Sequence, residues 1–210
     1  MVNTDTLPIT ETRGLGLACA ASGVVMVLVA IPMTLHIGDV PESQWSYPHP
    51  AGLFLVEAVL LAVAHLLSAA GFVGALRLEA QGESAAGRVG LWAAVVGLVG
   101  LAAAEIASGL IAEEASDSEI ATAVSTAFGV TSLVFAVGAV VGGLAIVRAG
   151  VWQGPWKWVV LATGVVIIVL VTPANISGSL GFRSAALLVW SALFIPFGVD
   201  VARGFRRRAV

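Results

Sequence analysis

Three ionisable side chains stand inside long apolar stretches of this chain: Glu57, His65 and Glu105. A charge in hydrocarbon costs roughly 3 kcal/mol or more even on lenient insertion scales, so such groups face a partner or a wet cavity. Two carboxylates on consecutive helices could share a proton or hold a cation. They could equally divide acid and base roles toward a bound lipid or isoprenoid. A third reading makes them neutral acids that bond a hydroxyl and hold helices together. Glu57 lies six residues into its stretch, roughly 9 Å down, and Glu105 is expected at a comparable depth from the end of the next.

Helical geometry selects their companions. Ser68, eleven residues on, returns to the Glu57 face, whereas His65 is turned by about 80°, which argues against a Glu57–His65 contact. Ser108 and Gly109 share the Glu105 face at three and four residues. His36, Asp39, Glu42 and His49 precede the second stretch and are candidate lids or first-contact groups. His65 otherwise reads as a hydrogen-bonded packing residue.

The elements that must position these groups follow from composition. Of 210 residues, 59% are hydrophobic and 11% charged, with a mean hydropathy of +1.00. These values exclude disorder, a nucleic-acid-binding module and a soluble enzyme. Six apolar stretches run approximately 14–35, 51–77, 89–112, 120–147, 156–176 and 183–202. A bilayer core needs about 20 residues of helix and tolerates no open backbone, so each stretch is expected to be a spanning helix. The first has Asp5 and Glu11 beside Arg13 and is too long for a signal peptide, so it is expected to be retained as an anchor. The expected fold is all-α: one membrane domain over residues 1–210, a six-transmembrane-helix bundle. Cys19 has no partner for an intrachain disulfide and is expected to be a buried, inert thiol.

Charge sets the expected orientation. Of ten Lys and Arg residues, all but Arg183 fall on one side of a six-span arrangement, while Asp39, Glu42, Glu113, Glu114, Asp117 and Glu119 fall on the other. The positive-inside rule then places both termini in the cytoplasm, in a plasma membrane. Trp45, Tyr47, Trp152, Trp156 and Trp158 fall at the boundaries and are expected to anchor there. The arginines after the sixth stretch act as a topology determinant and can also touch anionic lipid.

Spans two and three resemble spans four and five as a faint parallel repeat offset by 70 residues, which would make Glu105 and Asn175 equivalent. Span five has only about 15 uninterrupted apolar residues before Pro173, Gly178 and Gly181. It must kink and continue, break inside the membrane, or end at Pro173. Span four carries Thr122, Ser125, Gly129, Ser132, Ala136 and Gly143 at helical spacing, a stripe read as packing surface. Gly138 and Gly142 form a GxxxG through which the chain could oligomerise.

No haem ligand pair, Walker loop, dinucleotide fingerprint or nucleophile elbow is present, and neither a cofactor nor a metal site is expected. Three functions remain open. The first is a small proton- or cation-linked transporter with an outward-facing site built from Glu57, Glu105 and Asn175, with His65, Ser68 and Ser108 as further candidates. The second is a membrane-embedded enzyme using carboxylate acid/base chemistry on a lipid. The third is an assembly or accessory protein without a solute site. The lipid bilayer is the expected surround, the substrate a small molecule, an ion or a lipid, and nucleic acid is not a partner. The topology predicts that a fluorescent protein fused to the C-terminus fluoresces while alkaline phosphatase at the same place is inactive; the opposite pattern refutes it.

Overall fold

The computed structural model describes residues 7–35 and 40–205, so His36 and Asp39 lie outside the described residues. Eight α-helices follow in order: α1 (Leu7–Leu35), α2 (Ala51–Arg77), α3 (Ala85–Leu110), α4 (Glu119–Ala149), α5 (Val159–Val166), α6 (Thr172–Ile176), α7 (Leu180–Ala192) and α8 (Phe194–Ala202). A 3-10 turn, Pro155–Trp158, leads into α5, and a π turn, Ile167–Val171, joins α5 to α6. Together these make six apolar rods long enough to cross a membrane, the fifth being Pro155–Ile176 and the sixth Leu180–Ala202. The chain is an all-helical, multi-pass bundle.

Local chemistry accounts for the boundaries. Ser84, Ser118 and Ser179 each precede a helix and accept a hydrogen bond from a first-turn amide, Gly87, Ala121 and Phe182 respectively. Gly150, at φ +66°, ends α4 in the left-handed region that glycine adopts without a Cβ penalty. Span five neither stops at Pro173 nor breaks. Pro173 has no amide to donate, and the π turn just before it absorbs the lost register, so the helix bends and runs on to Ile176. Span six is interrupted at Leu193, where the missing amide of Pro196 frees the carbonyl one turn earlier.

The rods are arranged in a ring. α1 packs on α2, α2 on α3, α3 on α4 and α4 on α5, while α7 and α8 close the ring against α1. One end carries the segments 40–50 and 111–118 and is called the cap end. The other carries Arg77, Arg88, Arg148, Lys157 and Arg203 and is called the basic end.

Aromatic rings fill the centre. Phe72 meets Phe135 and Phe197 edge-on at 5.7 and 4.9 Å, and Trp190 meets Phe135 and Phe194 edge-on at 5.5 and 4.9 Å. Edge-to-face pairs at these spacings add attraction beyond simple burial. Toward the basic end Trp152 is fully buried, stacked 4.1 Å from Phe205, and its indole N–H donates to Asp200 at 3.1 Å. The expectation that Trp152 anchors at the interface is therefore corrected: it seals the bundle floor. Trp156 and Trp158, about half exposed, lie beside Lys157 at the basic end.

Small residues set how closely the rods approach. A Cβ on Gly138 would lie 2.5 Å from the Ala94 amide nitrogen and 2.6 Å from the Gly90 carbonyl oxygen. One on Gly142 would meet Leu91 at 2.8 Å. Both glycines are thus packed on α3 of the same chain, so this GxxxG is a contact within the bundle. Gly16 on α1 and Gly198 on α8 likewise face backbone across their crossing. Gly138→Val forces α3 and α4 apart, and we expect a loss of about 1–3 kcal/mol, seen as a lower thermal unfolding temperature in detergent. An unchanged midpoint would contradict the close contact.

Candidate functional site

The segment between α1 and α2 folds over the cap end as a lid. Gln44 and Ala115 form an isolated antiparallel bridge. Around it the amide of Trp45 donates to the Glu114 carbonyl at 2.9 Å, and that of Ser116 to the Ser43 carbonyl at 2.7 Å. The indole N–H of Trp45 donates to Ser108 Oγ of α3 at 2.9 Å. Ser108 therefore holds the lid rather than lining a site beside Glu105.

The lid delivers His49 to Glu57. Pro50 begins α2 immediately after His49, so the imidazole reaches the carboxylate two turns along the helix, and Nδ1–H donates to Oε2 at 2.6 Å. His49 is 1% and Glu57 6% exposed, so this buried pair latches the lid to α2. Sequence spacing alone hid it, because the loop has to fold back before the contact exists.

The remaining candidates divide by depth. Gly109 packs on Leu55 and Ala58 of α2, which puts Glu105 about level with Leu61 and about one turn, roughly 6 Å, deeper than Glu57. The two carboxylates are not matched in depth, and no hydrogen bond joins them among the described residues. His65 is buried, donates from Nδ1 to the Leu61 carbonyl at 2.7 Å and lies 5.9 Å from the Trp190 ring. Ser68 meets Ser22 of α1 at 2.8 Å, so it ties two helices and leaves Glu57 alone. Asn175 is exposed and donates to the Val171 carbonyl of its own helix at 2.9 Å. Since α6 touches only α7 and the π turn, Asn175 does not join Glu57 and Glu105.

A different set of residues lies on the core-directed faces of the helices. On α2 the face of buried His65 continues outward through Leu61, and on α3 the face of buried Leu98 and Leu101 continues to Glu105. On α4 the face of Phe135 continues to Phe128 and Ser132, and on α7 that of Trp190 continues to Leu187 and Arg183. All these outward residues keep partial exposure although they lie on core-directed faces. These faces are therefore closed at the aromatic layer and less completely buried toward the cap end.

The opening has a cause. In the half toward the basic end α4 lies against α5, where Gly164 approaches the Ala136 carbonyl oxygen to the point that a Cβ would sit 2.6 Å away. Beyond the π turn and Pro173 the fifth rod leans off, and α6 makes no contact with α4. Ser125 and Gly129 are consequently exposed and Ser132 half-exposed, whereas Ala136 and Gly143 are buried. The reading of this stripe as packing surface holds for its inner part and is corrected for its outer part.

Arg183 was singled out in the sequence only as the one basic residue on its side. Its spacing of seven from Trp190, a return to within about 20° on a helix, is the signal that places it on the core face. The Arg183 guanidinium forms no ion pair and no hydrogen bond among the described residues, while its backbone amide donates to the Ser179 carbonyl at 2.9 Å. A separate shallow cleft of about 370 Å³ between Ala51, Leu55, Gly109 and Glu113 lies on the lid side and contains none of these groups.

Removing the latch tests its role. Glu57→Ala strands a buried imidazole and is expected to cost about 1.5–3 kcal/mol of lid stability. Amide exchange at Trp45 and Ser46 should accelerate roughly tenfold or more, since each 1.4 kcal/mol is a factor of ten. Unchanged exchange would show that the backbone bridge alone holds the lid.

Comparison of the chain with protein-family models, with curated proteins and with solved structures finds no match, so the reading of this site rests on its own geometry.

Proposed function

We propose that this chain is a plasma-membrane protein with both termini in the cytoplasm, working as a small proton-linked transporter open toward the outer side. The orientation is supported by the basic residues gathered at one end and the acidic loops at the other. One observation carries the transport reading: core-directed Glu105, Arg183, Leu61, Phe128 and Leu187 retain exposure directly above a sealed aromatic layer. Alternating access requires that asymmetry, an open half over a closed one around a site in the bundle. Glu105 is the proton-carrying group, since it is the carboxylate in the open half that no latch occupies. Glu57 and His49 keep the lid.

A second reading has its own support. The gap between α4 and α6 opens sideways, as a lipid-acting enzyme would need, with Glu105 as its acid or base.

Two measurements test the proposal. In a Cys19→Ala background, a membrane-impermeant maleimide added outside should label Leu187→Cys and leave Ala94→Cys unlabelled. Equal labelling, or none at either position, overturns the outward-open arrangement. In proteoliposomes loaded with a pH-sensitive dye, pools of small solutes should evoke proton flux that Glu105→Gln reduces at least tenfold. Flux unaffected by Glu105→Gln, or absent with every pool, overturns proton-linked transport. A lipid product that disappears in Glu105→Gln membranes would instead favour the enzyme.

A further inference from the structure

We infer that Arg183 anchors an oxyanion, a carboxylate or phosphate, at the head of an apolar-tailed ligand that enters between α4 and α6. For its access this rests on the outward-open reading above, and it goes beyond that reading in naming the ligand. The first support is placement. Arg183 stands at the middle of the core-directed face of α7, with Leu187 and Trp190 below it, while Phe182, Ala185 and Val189 take the opposite, exposed face. An arginine that merely steadied the helix in the headgroup layer would belong with those exposed residues.

The second support is chemical. A guanidinium and an indole N–H are donors only. Trp190 is 3% exposed and its Nε1 has no hydrogen-bond partner. The same face of α7 thus presents an unpaired cation and, about 10 Å deeper, a buried donor without an acceptor. A ligand that answers the guanidinium must bring acceptor oxygens, and a carboxylate or phosphate matches the planar fork of arginine in two parallel bonds.

The third support is the wall. Leu61, Phe128, Leu170 and Leu187 are partly buried and packed on the aromatic core, leaving apolar surface around a few polar groups. Such a lining suits a ligand with an apolar body and a small polar head. The gap beside Ser125, Gly129 and Ser132, none larger than serine, gives that body a lateral way in. Glu105, the carboxylate on the core-directed face of α3, would repel the anion when ionised and tolerate it when protonated, which couples the ligand to a proton.

The test uses the full chain in an uncharged detergent, with native mass spectrometry and thermal unfolding as readouts. The probes are oleate and phosphatidic acid, their tail-less counterparts acetate and inorganic phosphate, and oleylamine as the cationic match. We expect one copy of oleate or phosphatidic acid to bind and raise the unfolding temperature. Arg183→Gln should weaken that binding at least tenfold, and Arg183→Lys should restore part of it. Acetate, inorganic phosphate and oleylamine should leave the protein unchanged. Equal binding by wild type and Arg183→Gln, equal binding of oleylamine and oleate, or binding of tail-less anions as tight as the tailed ones overturns the inference. Should Arg183→Gln fail to fold, Ser132→Trp, which fills the gap, decides: undiminished binding of the tailed anions overturns the entry route and the site with it. Binding is read without a gradient. Loss of this site with proton flux intact discards the ligand alone, and binding without flux discards transport alone.

Discussion

The meeting of Phe72, Phe135, Trp190, Phe194 and Phe197 at the centre of the bundle is the contact on which the other features depend. Hydrocarbon offers helices no hydrophobic drive toward one another, so association must come from close van der Waals packing and from polar bonds. The rings supply the first at the level where glycine and alanine pairs let the backbones converge. Below them Trp152, Phe205 and Asp200 complete a seal. Toward the cap end Phe128 and Trp45 pack on a smaller cluster of Ile111, Ala121 and Val124.

The bend in span five belongs to the same account. A straight helix would stay beside α4 along its whole length, as α5 does near Gly143 and Gly164. The π turn and Pro173 redirect it, and the α4 hydroxyl stripe is left open from Ser132 outward. The lid works on the other side of the ring, where Trp45 on Ser108 and His49 on Glu57 tie the first loop to α3 and α2. The cap end is thus shut over α2 and α3 and parted between α4 and α6.

Much of this was legible beforehand. The six spans follow from hydropathy because a helix in lipid must be long, apolar and internally bonded, and the described helices agree with the expected ranges to within a few residues at most ends. Glu57, His65 and Glu105 stood out for the cost of charge in hydrocarbon, but their roles did not follow from it. Glu57 found its partner in a loop that had to fold back, His65 found a carbonyl one turn away, and Glu105 found neither. Asn175 was grouped with them on an offset of 70 residues, yet it faces outward, because a resemblance of sequence motifs does not constrain which way a bent helix turns. Arg183 passed as a count in a charge tally, although its spacing from Trp190 was there to read.

By itself the sequence determined that the chain is a bundle of six membrane-length helices, and which very few residues could carry chemistry within them. These are properties of single segments: hydropathy, length and the cost of burying a charge act on each helix independently of its neighbours. Only the tertiary structure decided which glycines close α3 on α4, which residue answers Glu57, and that α6 parts from α4 beyond the π turn. Those outcomes depend on the rotation of each helix and the direction of one bend, and both are set by packing between segments far apart in the chain.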